Sequence, residues 1–284
     1  MKVAIVGAGG LVGSEFTRQL STQHDVLSFS HDDLDITDRI AVERTMRNER
    51  PALIINCAVL GVDSCEMNPP LALSVNVNGA ENLARAAATI DAEIVHLSSN
   101  YVFDGRRSNG AAYTPDDAPD PINVYGKTKL AGERAVKDTS PRSFIIRTSW
   151  VFGLNKENFF SAAPRRLRAK QQISAIIDVF ANCTYAPDLV ARIMEIVSRG
   201  SHGTYHVVNS GLCSYYGFAL EAARILRMSE RDLNELIVPV GVQDLRLRAE
   251  RPKYSPLSCS TSAKMSLAPL RDWRAALAEY IESA

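Results

Sequence analysis

The 284-residue sequence predicts an α/β protein, with a doubly wound parallel sheet joined to a smaller, partly interleaved C-terminal portion. Three observations lead there. Short, continuously apolar runs alternate with helix-length amphipathic segments through the first half, the pattern of a parallel sheet covered on both faces. A glycine-rich turn, Gly7-Ala8-Gly9-Gly10-Leu11-Val12-Gly13, lies directly between the first such run and the first helical segment. After about Trp150 the alternation loosens but does not stop.

The elements follow in order. Val3 to Val6 reads as a strand, Leu11 to Leu20 as a helix and Asp25 to Phe29 as a second strand. Arg39 to Arg47 is helical and Ala52 to Asn56 a buried strand. Ala72 to Ala88, alanine-rich with apolar residues three and four apart, predicts one long helix. Glu93 to Ser98 is the next strand, Tyr125 to Val136 the next helix and Ser143 to Arg147 the strand after it. Beyond Trp150, helices are expected at Asn158 to Ala169, Pro187 to Ser198, Tyr216 to Leu226 and Leu270 to Ile281. Ile173 to Ile177 and Tyr205 to Asn209 read as extended, and Pro239 to Ser262 as irregular. Residues 1–151, joined by parts of 173–210, form the expected dinucleotide-binding domain, and 152–284 the substrate-binding portion. A Rossmann-type fold accommodates both.

Composition narrows the function classes. Lysines and arginines number 32, as do aspartates and glutamates, so the formal charge is zero. That balance removes the usual compositional argument for a nucleic-acid partner. No apolar run reaches the roughly eighteen residues of a membrane span. The N-terminus reads as strand and phosphate loop rather than as a signal segment, and a cytoplasmic location is expected. Cys57, Cys65, Cys183, Cys213 and Cys259 are scattered and include no C-x-x-C pair. Neither a disulfide framework nor a metal site is indicated, and reduced thiols fit.

The glycine turn has the spacing G-x-x-G-x-x-G. Gly7 permits a tight turn, Gly10 lets the backbone approach a pyrophosphate, and Gly13 allows close helix packing. The helix that begins there offers free N–H groups and partial positive charge to an anion. At the end of the second strand stand Ser30 and His31, then Asp32 and Asp33. They match neither the acidic residue typical of NAD sites nor the arginine typical of NADP sites, so NADPH and NADH both remain open.

Tyr125 and Lys129 form the chain's Tyr-x-x-x-Lys pair. Four residues apart on a helix, they share a face. A nearby ammonium lowers a phenol from its usual pKa of about 10, which makes Tyr125 a general acid for a carbonyl under reduction. Ser98 and Ser99 end a strand of the parallel sheet, at the carboxyl edge where such sheets bind ligands. A serine hydroxyl there can donate to the substrate oxygen. Tyr101 lacks a helical lysine partner and reads as pocket wall.

The glycine triplet, Asn56-Cys57-Ala58, Val75-Asn76, Ser98 through Gly105, and Tyr125 with Lys129 together resemble the extended short-chain dehydrogenases/reductases. More narrowly, Asn123 through Glu133, Arg147 through Gly153, and Glu250-Arg251-Pro252 resemble the dTDP-4-dehydrorhamnose reductases, over nearly the whole chain. The resemblance implies a catalytic trio of Ser99, Tyr125 and Lys129. It places Gly10, Leu11 and Val12 at the pyrophosphate, Asp35 and Ile36 at the adenine, and Ala58 and Asn76 along the cofactor groove. Asn100, Trp150, Asn158 and Arg251 are implied on the side of the nucleotide-diphosphate sugar, where Arg251's guanidinium matches phosphate oxygens. The family usually has Asp at Asn100 and Glu near Pro115. Its Gly-x-Pro-Thr segment is here Ala181 to Thr184, and its Arg-Pro-x-Asn-Ser is Arg251 to Ser255. These departures lie toward the substrate.

The implied activity is NAD(P)H-dependent reduction of a 4-keto-6-deoxy sugar, in a possible homodimer. An epimerase of the same fold is a second reading. A non-catalytic regulatory subunit, similar to that of methionine adenosyltransferase, is a third. Asn100-Tyr101 after Ser99, where dehydratases carry Asp-Glu, argues against dehydration.

Overall fold

The computed structural model describes residues 1–107, 110–155 and 157–283. Its first half alternates strand and helix: β1 (Lys2–Val6), α1 (Leu11–Leu20), β2 (Asp25–Phe29), α2 (Arg39–Glu49) and β3 (Leu53–Asn56). Then come α3 (Val62–Met67), α4 (Pro69–Leu73), a π-helical turn (Ser74–Gly79) and α5 (Ala80–Thr89). β4 (Glu93–Ser99), α6 (Val124–Thr139) and β5 (Ser143–Thr148) complete this half. The remainder holds β6 (Val151–Phe152), α7 (Phe159–Arg168), β7 (Ile173–Ile176), β8 (Phe180–Ala181), β9 (Thr184–Tyr185), α8 (Ala186–Ser198) and β10 (Gly203–His206). It ends with β11 (Cys213–Ser214), α9 (Tyr215–Ile225), α10 (Glu230–Leu236), β12 (Ile237–Val240), α11 (Ser260–Lys264) and α12 (Trp273–Ser283).

Six strands form one sheet in the order β10-β5-β4-β3-β1-β2, every pair parallel. The side-chain period of two divides its apolar residues between two cores. Val3, Ile5, Leu53, Ile55, Val95, Phe144 and Ile146 pack with Phe16 of α1 and Leu189, Val190 and Ile193 of α8. Ala4, Val6, Ile54, Ile94 and Ile145 face the other way, onto Val42 and Met46 of α2, Leu83, Ala84 and Ala87 of α5, and Val136 of α6. β1, β3, β4 and β5 are therefore apolar on both faces. β2 and β3 lie on opposite sides of β1, so the chain reverses direction beside β1, and the carboxyl ends of β1 and β3 flank a crevice there. α8 and β10 return to this sheet late in the chain, while Phe152, Phe160, Leu167, Ile173, Phe218, Trp273 and Leu277 build a separate core.

Three expectations need correction. The single helix over Ala72 to Ala88 is interrupted by the π turn, where close packing dictates the backbone. A Cβ on Gly79 would lie 2.5 Å from Ile36, and one on Gly132 of α6 would lie 2.2 Å from the Asn76 carbonyl. The irregular stretch from Pro239 begins inside β12, which pairs with β7 alone, so Pro239 occupies an edge strand that tolerates its missing donor. The closing helix starts at Trp273 rather than Leu270, because Ser210 and Asn209 take up Leu270–Arg271 carbonyls. α10 was not anticipated, although its Ser229-x-x-Asp232 capping box is a recognisable start signal.

Beneath the sheet's carboxyl edge lies a buried ion pair. Arg147 of β5 donates to both oxygens of Glu133 on α6, at 2.9 and 2.7 Å, with the two side chains 4% and 2% exposed. Arg147→Met leaves the buried Glu133 carboxyl without its cationic partner. It should lower the unfolding free energy by about 3–5 kcal/mol, read by urea denaturation. Arg147→Met combined with Glu133→Leu should recover much of that loss, and an equally unstable double variant would show that the pair is not the cause.

Candidate active site

Tyr125 stands in the first turn of α6 because two features bring that turn to the end of β4. Asn123 caps the helix, its Oδ1 accepting from Gly126 N at 2.7 Å, an arrangement typical of Asx caps. Gly126 then permits contact that no side chain would allow, since a Cβ there would lie 2.1 Å from the Tyr101 carbonyl. Asn123 Nδ2 also donates to the Glu250 carbonyl at 2.8 Å, tying the helix start to the segment that carries Arg251.

The expected trio meets. Ser99, Tyr125 and Lys129 all line one cavity of about 610 Å³, within the size range of small-ligand sites. The Tyr125 phenol faces the Ser99 hydroxyl, and Ser99 Oγ accepts from Tyr101 N and donates to Asn100 Oδ1, both at 3.2 Å. The Tyr101 ring meets that of Tyr125 edge-on at 5.6 Å. Ser98 is not part of this group: it donates to Glu133.

The expected lowering of the phenol is absent from the free site. Burial dominates and pushes Tyr125 above its ordinary value, with the Ser99 hydrogen bond opposing. Lys129 Nζ instead lies 3.3 Å from His96 Nε2. Burial lowers the ammonium from 10.5 to about 8.

The residues expected on the substrate side line the same cavity: Asn100, Trp150, Asn158 and Arg251, with Tyr101, Phe160 and Tyr215. Trp150 stacks on Phe160 at 4.9 Å and tilts against Tyr215 at 4.5 Å. Asn158 spends its amide on the backbone, capping α7 through Ser161 N and donating to the Val151 carbonyl. Asn100 donates to Ser255 Oγ at 2.7 Å. Arg251 is nearly buried and paired with Asp63 Oδ2 at 2.6 Å, so it is no solvated loop arginine.

A second cavity, of about 460 Å³, is lined by Gly7, Gly9, Gly10, Ser30, His31, Asp35, Ile36 and Ala58. The two cavities share Cys57 and Val59 as walls. Gly7 adopts φ +79°, and a Cβ there would lie 2.6 Å from Ala58 N. A Cβ on Gly13 would lie 2.2 Å from the Gly7 carbonyl, so the loop closes only without side chains. α1 opens with no side-chain cap and no acidic residue in its first turn, which leaves its N–H groups for an anion. These features fit a dinucleotide diphosphate against Gly10, Leu11 and Val12. Asn76 sits behind the groove wall: its Oδ1 accepts from Leu60 N at 2.9 Å and its Nδ2 reaches Thr128. Asp33 is turned onto Ser30 N and Oγ, and Asp35 onto Thr37.

Sequence reading missed Asp63, Asn123, Tyr215 and His96. Asn123 carries a usable signal, an Asn three residues before Gly126 at a helix start. The other three reach the site only through the fold.

Comparison with known proteins adds the family. A model described as the RmlD substrate binding domain matches residues 1–284. A dTDP-4-dehydrorhamnose reductase of Mycolicibacterium smegmatis is 38% identical, over 99% of this chain and 85% of the relative. The spore coat polysaccharide biosynthesis protein SpsK of Bacillus subtilis is 35% identical, over 99% and 97%. A crystal structure of dTDP-4-dehydrorhamnose reductase from Bacillus anthracis, in complex with NADP, superposes with a TM-score of 0.94 at 32% identity. It covers 100% of this chain and 99% of that one.

Two expectations follow from the geometry. A Cβ on Gly10 would lie 3.3 Å from its nearest neighbour, so Gly10→Val should fold while filling the groove. Calorimetry should find NADPH or NADH binding weakened at least about tenfold, a loss of about 1.4 kcal/mol, and wild-type affinity would remove the loop from the cofactor site. For Lys129, the unfolded chain holds its proton up to about pH 10.5, but the folded chain loses it near 8. The resulting destabilisation is complete below pH 8 and fades as pH rises toward 10.5. Lys129→Met should therefore raise stability at pH 7 by on the order of 3 kcal/mol, with the gain shrinking at pH 10. A gain independent of pH would refute the burial argument.

Proposed function

The chain belongs to the RmlD substrate binding domain family, and from that premise we propose that it reduces the 4-keto group of a dTDP-linked 6-deoxy sugar with NAD(P)H. The observation that carries this reading is the meeting of two cavities beside Ser99, Tyr125 and Lys129. One is a glycine-floored groove suited to a dinucleotide. The other is an aromatic-walled cavity with Arg251 at its edge, suited to a sugar nucleotide. No helix among the described residues is long and apolar enough to cross a membrane.

In this proposal the sheet unit, residues 1–151 with parts of 173–210, holds the cofactor, and 152–284 supplies the sugar side. Bound in the groove, the reduced nicotinamide supplies a hydride to the keto carbon. The phenol of Tyr125, kept protonated by burial, gives its proton to the keto oxygen and takes another from solvent afterwards. Ser99 exchanges its hydrogen bond to Asn100 for one to that oxygen as negative charge develops, the role of an oxyanion donor. Lys129, one helical turn from Tyr125, stabilises the phenolate left behind. Arg251 offers its guanidinium to the diphosphate, and Trp150 and Tyr215 present flat apolar faces to sugar or base.

Two variants test the assignments. Tyr125→Phe keeps the ring and deletes the proton. It should leave cofactor binding nearly intact and lower kcat by roughly 10²–10⁴-fold. Near-wild-type turnover would remove Tyr125 from the chemistry. Arg251→Ala should raise KM for the dTDP-linked substrate by about 10- to 150-fold with little change in cofactor affinity, and an unchanged KM would place the diphosphate elsewhere. If the wild-type chain oxidises neither NADPH nor NADH with any dTDP-linked 4-keto sugar, the regulatory-subunit reading replaces this one.

A further inference from the structure

Lys129 is 2% exposed, yet no carboxylate pairs with it among the described residues. Glu133, one turn on, is taken by Arg147 and Ser98. Glu66 on α3 accepts from Val124 N at the start of α6. The Cys57 and Cys65 thiols and the Tyr101 and Tyr125 phenols around it are all pushed upward by burial and carry no charge near neutral pH. The polar atom within reach of the ammonium is His96 Nε2, so the state of that nitrogen decides what Lys129 meets.

The other face of the imidazole is fixed by the backbone. Asn56 and His96 are register partners on the adjacent strands β3 and β4. Ala58 N donates to Asn56 Oδ1 at 3.1 Å, which aims the amide nitrogen at His96 Nδ1, also 3.1 Å away. An amide nitrogen only donates, so Nδ1 must present its lone pair. Burial keeps the ring neutral, and a neutral imidazole bears one proton. That proton therefore sits on Nε2, facing Lys129. An ammonium has no lone pair to receive it, whereas an amine does.

We propose that Asn56 and His96 are positioning residues that place the imidazole proton on Nε2, and that this proton opposes protonation of Lys129 in the cofactor-free enzyme. The significance of Lys129 rests on the reductase reading above, but the proton placement does not. The device acts in the same direction as burial, which lowers Lys129 to about 8. The cation beside Tyr125 is thereby disfavoured while the groove is empty, in keeping with a phenol that burial keeps protonated.

The test is nuclear magnetic resonance on the ligand-free chain, labelled with ¹⁵N-histidine and ¹³Cε-lysine and assigned with His96→Gln and Lys129→Met. The wild type should show a pyridine-type Nδ1 and a pyrrole-type Nε2 at His96, unchanged from about pH 6 to 9, and a Lys129 titration near 8. Asn56→Asp still accepts from Ala58 N but turns the second oxygen on Nδ1. It should move the ring proton to Nδ1 and raise the Lys129 titration by about one pH unit or more. A wild-type Nδ1–H tautomer or an imidazolium overturns the proposal, as does an Asn56→Asp chain in which neither signal moves. Should Asn56→Asp fail to fold, the wild-type tautomer decides alone. Neither readout uses turnover, so a failed reductase assay and a failed tautomer assignment are separate results.

Discussion

The buried pair between Glu133 and Arg147 is the constraint on which the geometry of the site depends. It joins α6, which carries Tyr125 and Lys129, to β5, and through Ser98 it joins both to β4, which ends in Ser99. A buried ion pair is poor evidence of net stabilisation, because desolvation offsets the Coulombic attraction. What it supplies here is register. A bidentate guanidinium–carboxylate contact tolerates little sliding, so α6 cannot shift along the sheet without breaking it. Arg147 also lies over the Phe103 ring at 5.2 Å, which ties the chain just beyond Ser99 to it by a second, cation–π contact.

Around that anchor the site is assembled by close backbone approach. Gly126 lets α6 touch the Tyr101 carbonyl, and Gly132 lets it touch the Asn76 carbonyl in the π turn. Asn76 in turn accepts from Leu60 N and reaches Thr128, so the loop after β3, the π turn and α6 are tied to one another. Three glycines at the first βα turn do the same for the dinucleotide loop. Positional precision is bought with absent side chains, and the polar asparagines Asn56, Asn76, Asn100 and Asn123 then fill the hydrogen-bonding requirements of the backbone so exposed.

The fold was legible wherever one rule decided an element. Leu11–Leu20 and Asp25–Phe29 coincide with expectation because periodicity and the glycine turn leave no alternative. The π turn was illegible because helix propensity sees alanines and spacing, whereas the interruption follows from α6 pressing on Asn76. Ser99, Tyr125 and Lys129 were readable as types at a spacing, and the structure brings them to one cavity. Their electrostatics were not readable: spacing alone suggested that Lys129 lowers the phenol, while depth of burial and the turn of Nζ toward His96 set both groups differently. Asp63, lying 188 residues from Arg251, could be found only through the fold.

That distant aspartate also explains how an arginine can wait inside a cavity. An unpaired guanidinium at this depth would be costly, and Asp63 offsets the cost by accepting from it while Ala249 N holds the same carboxylate in place. Asp63 is the more exposed partner, at 40% against 10% for Arg251, so water can take over its solvation more readily than that of the guanidinium. An arriving diphosphate brings two anionic groups to a cation already desolvated and aimed, and it competes with a single carboxylate that has access to solvent. Arg251 uses one terminal nitrogen on Asp63 and the other on the Ala249 carbonyl. In the proposed reading, substrate capture is an exchange of partners at a fixed guanidinium, and selectivity for a diphosphate would reside in the difference between those two anions rather than in Arg251 alone.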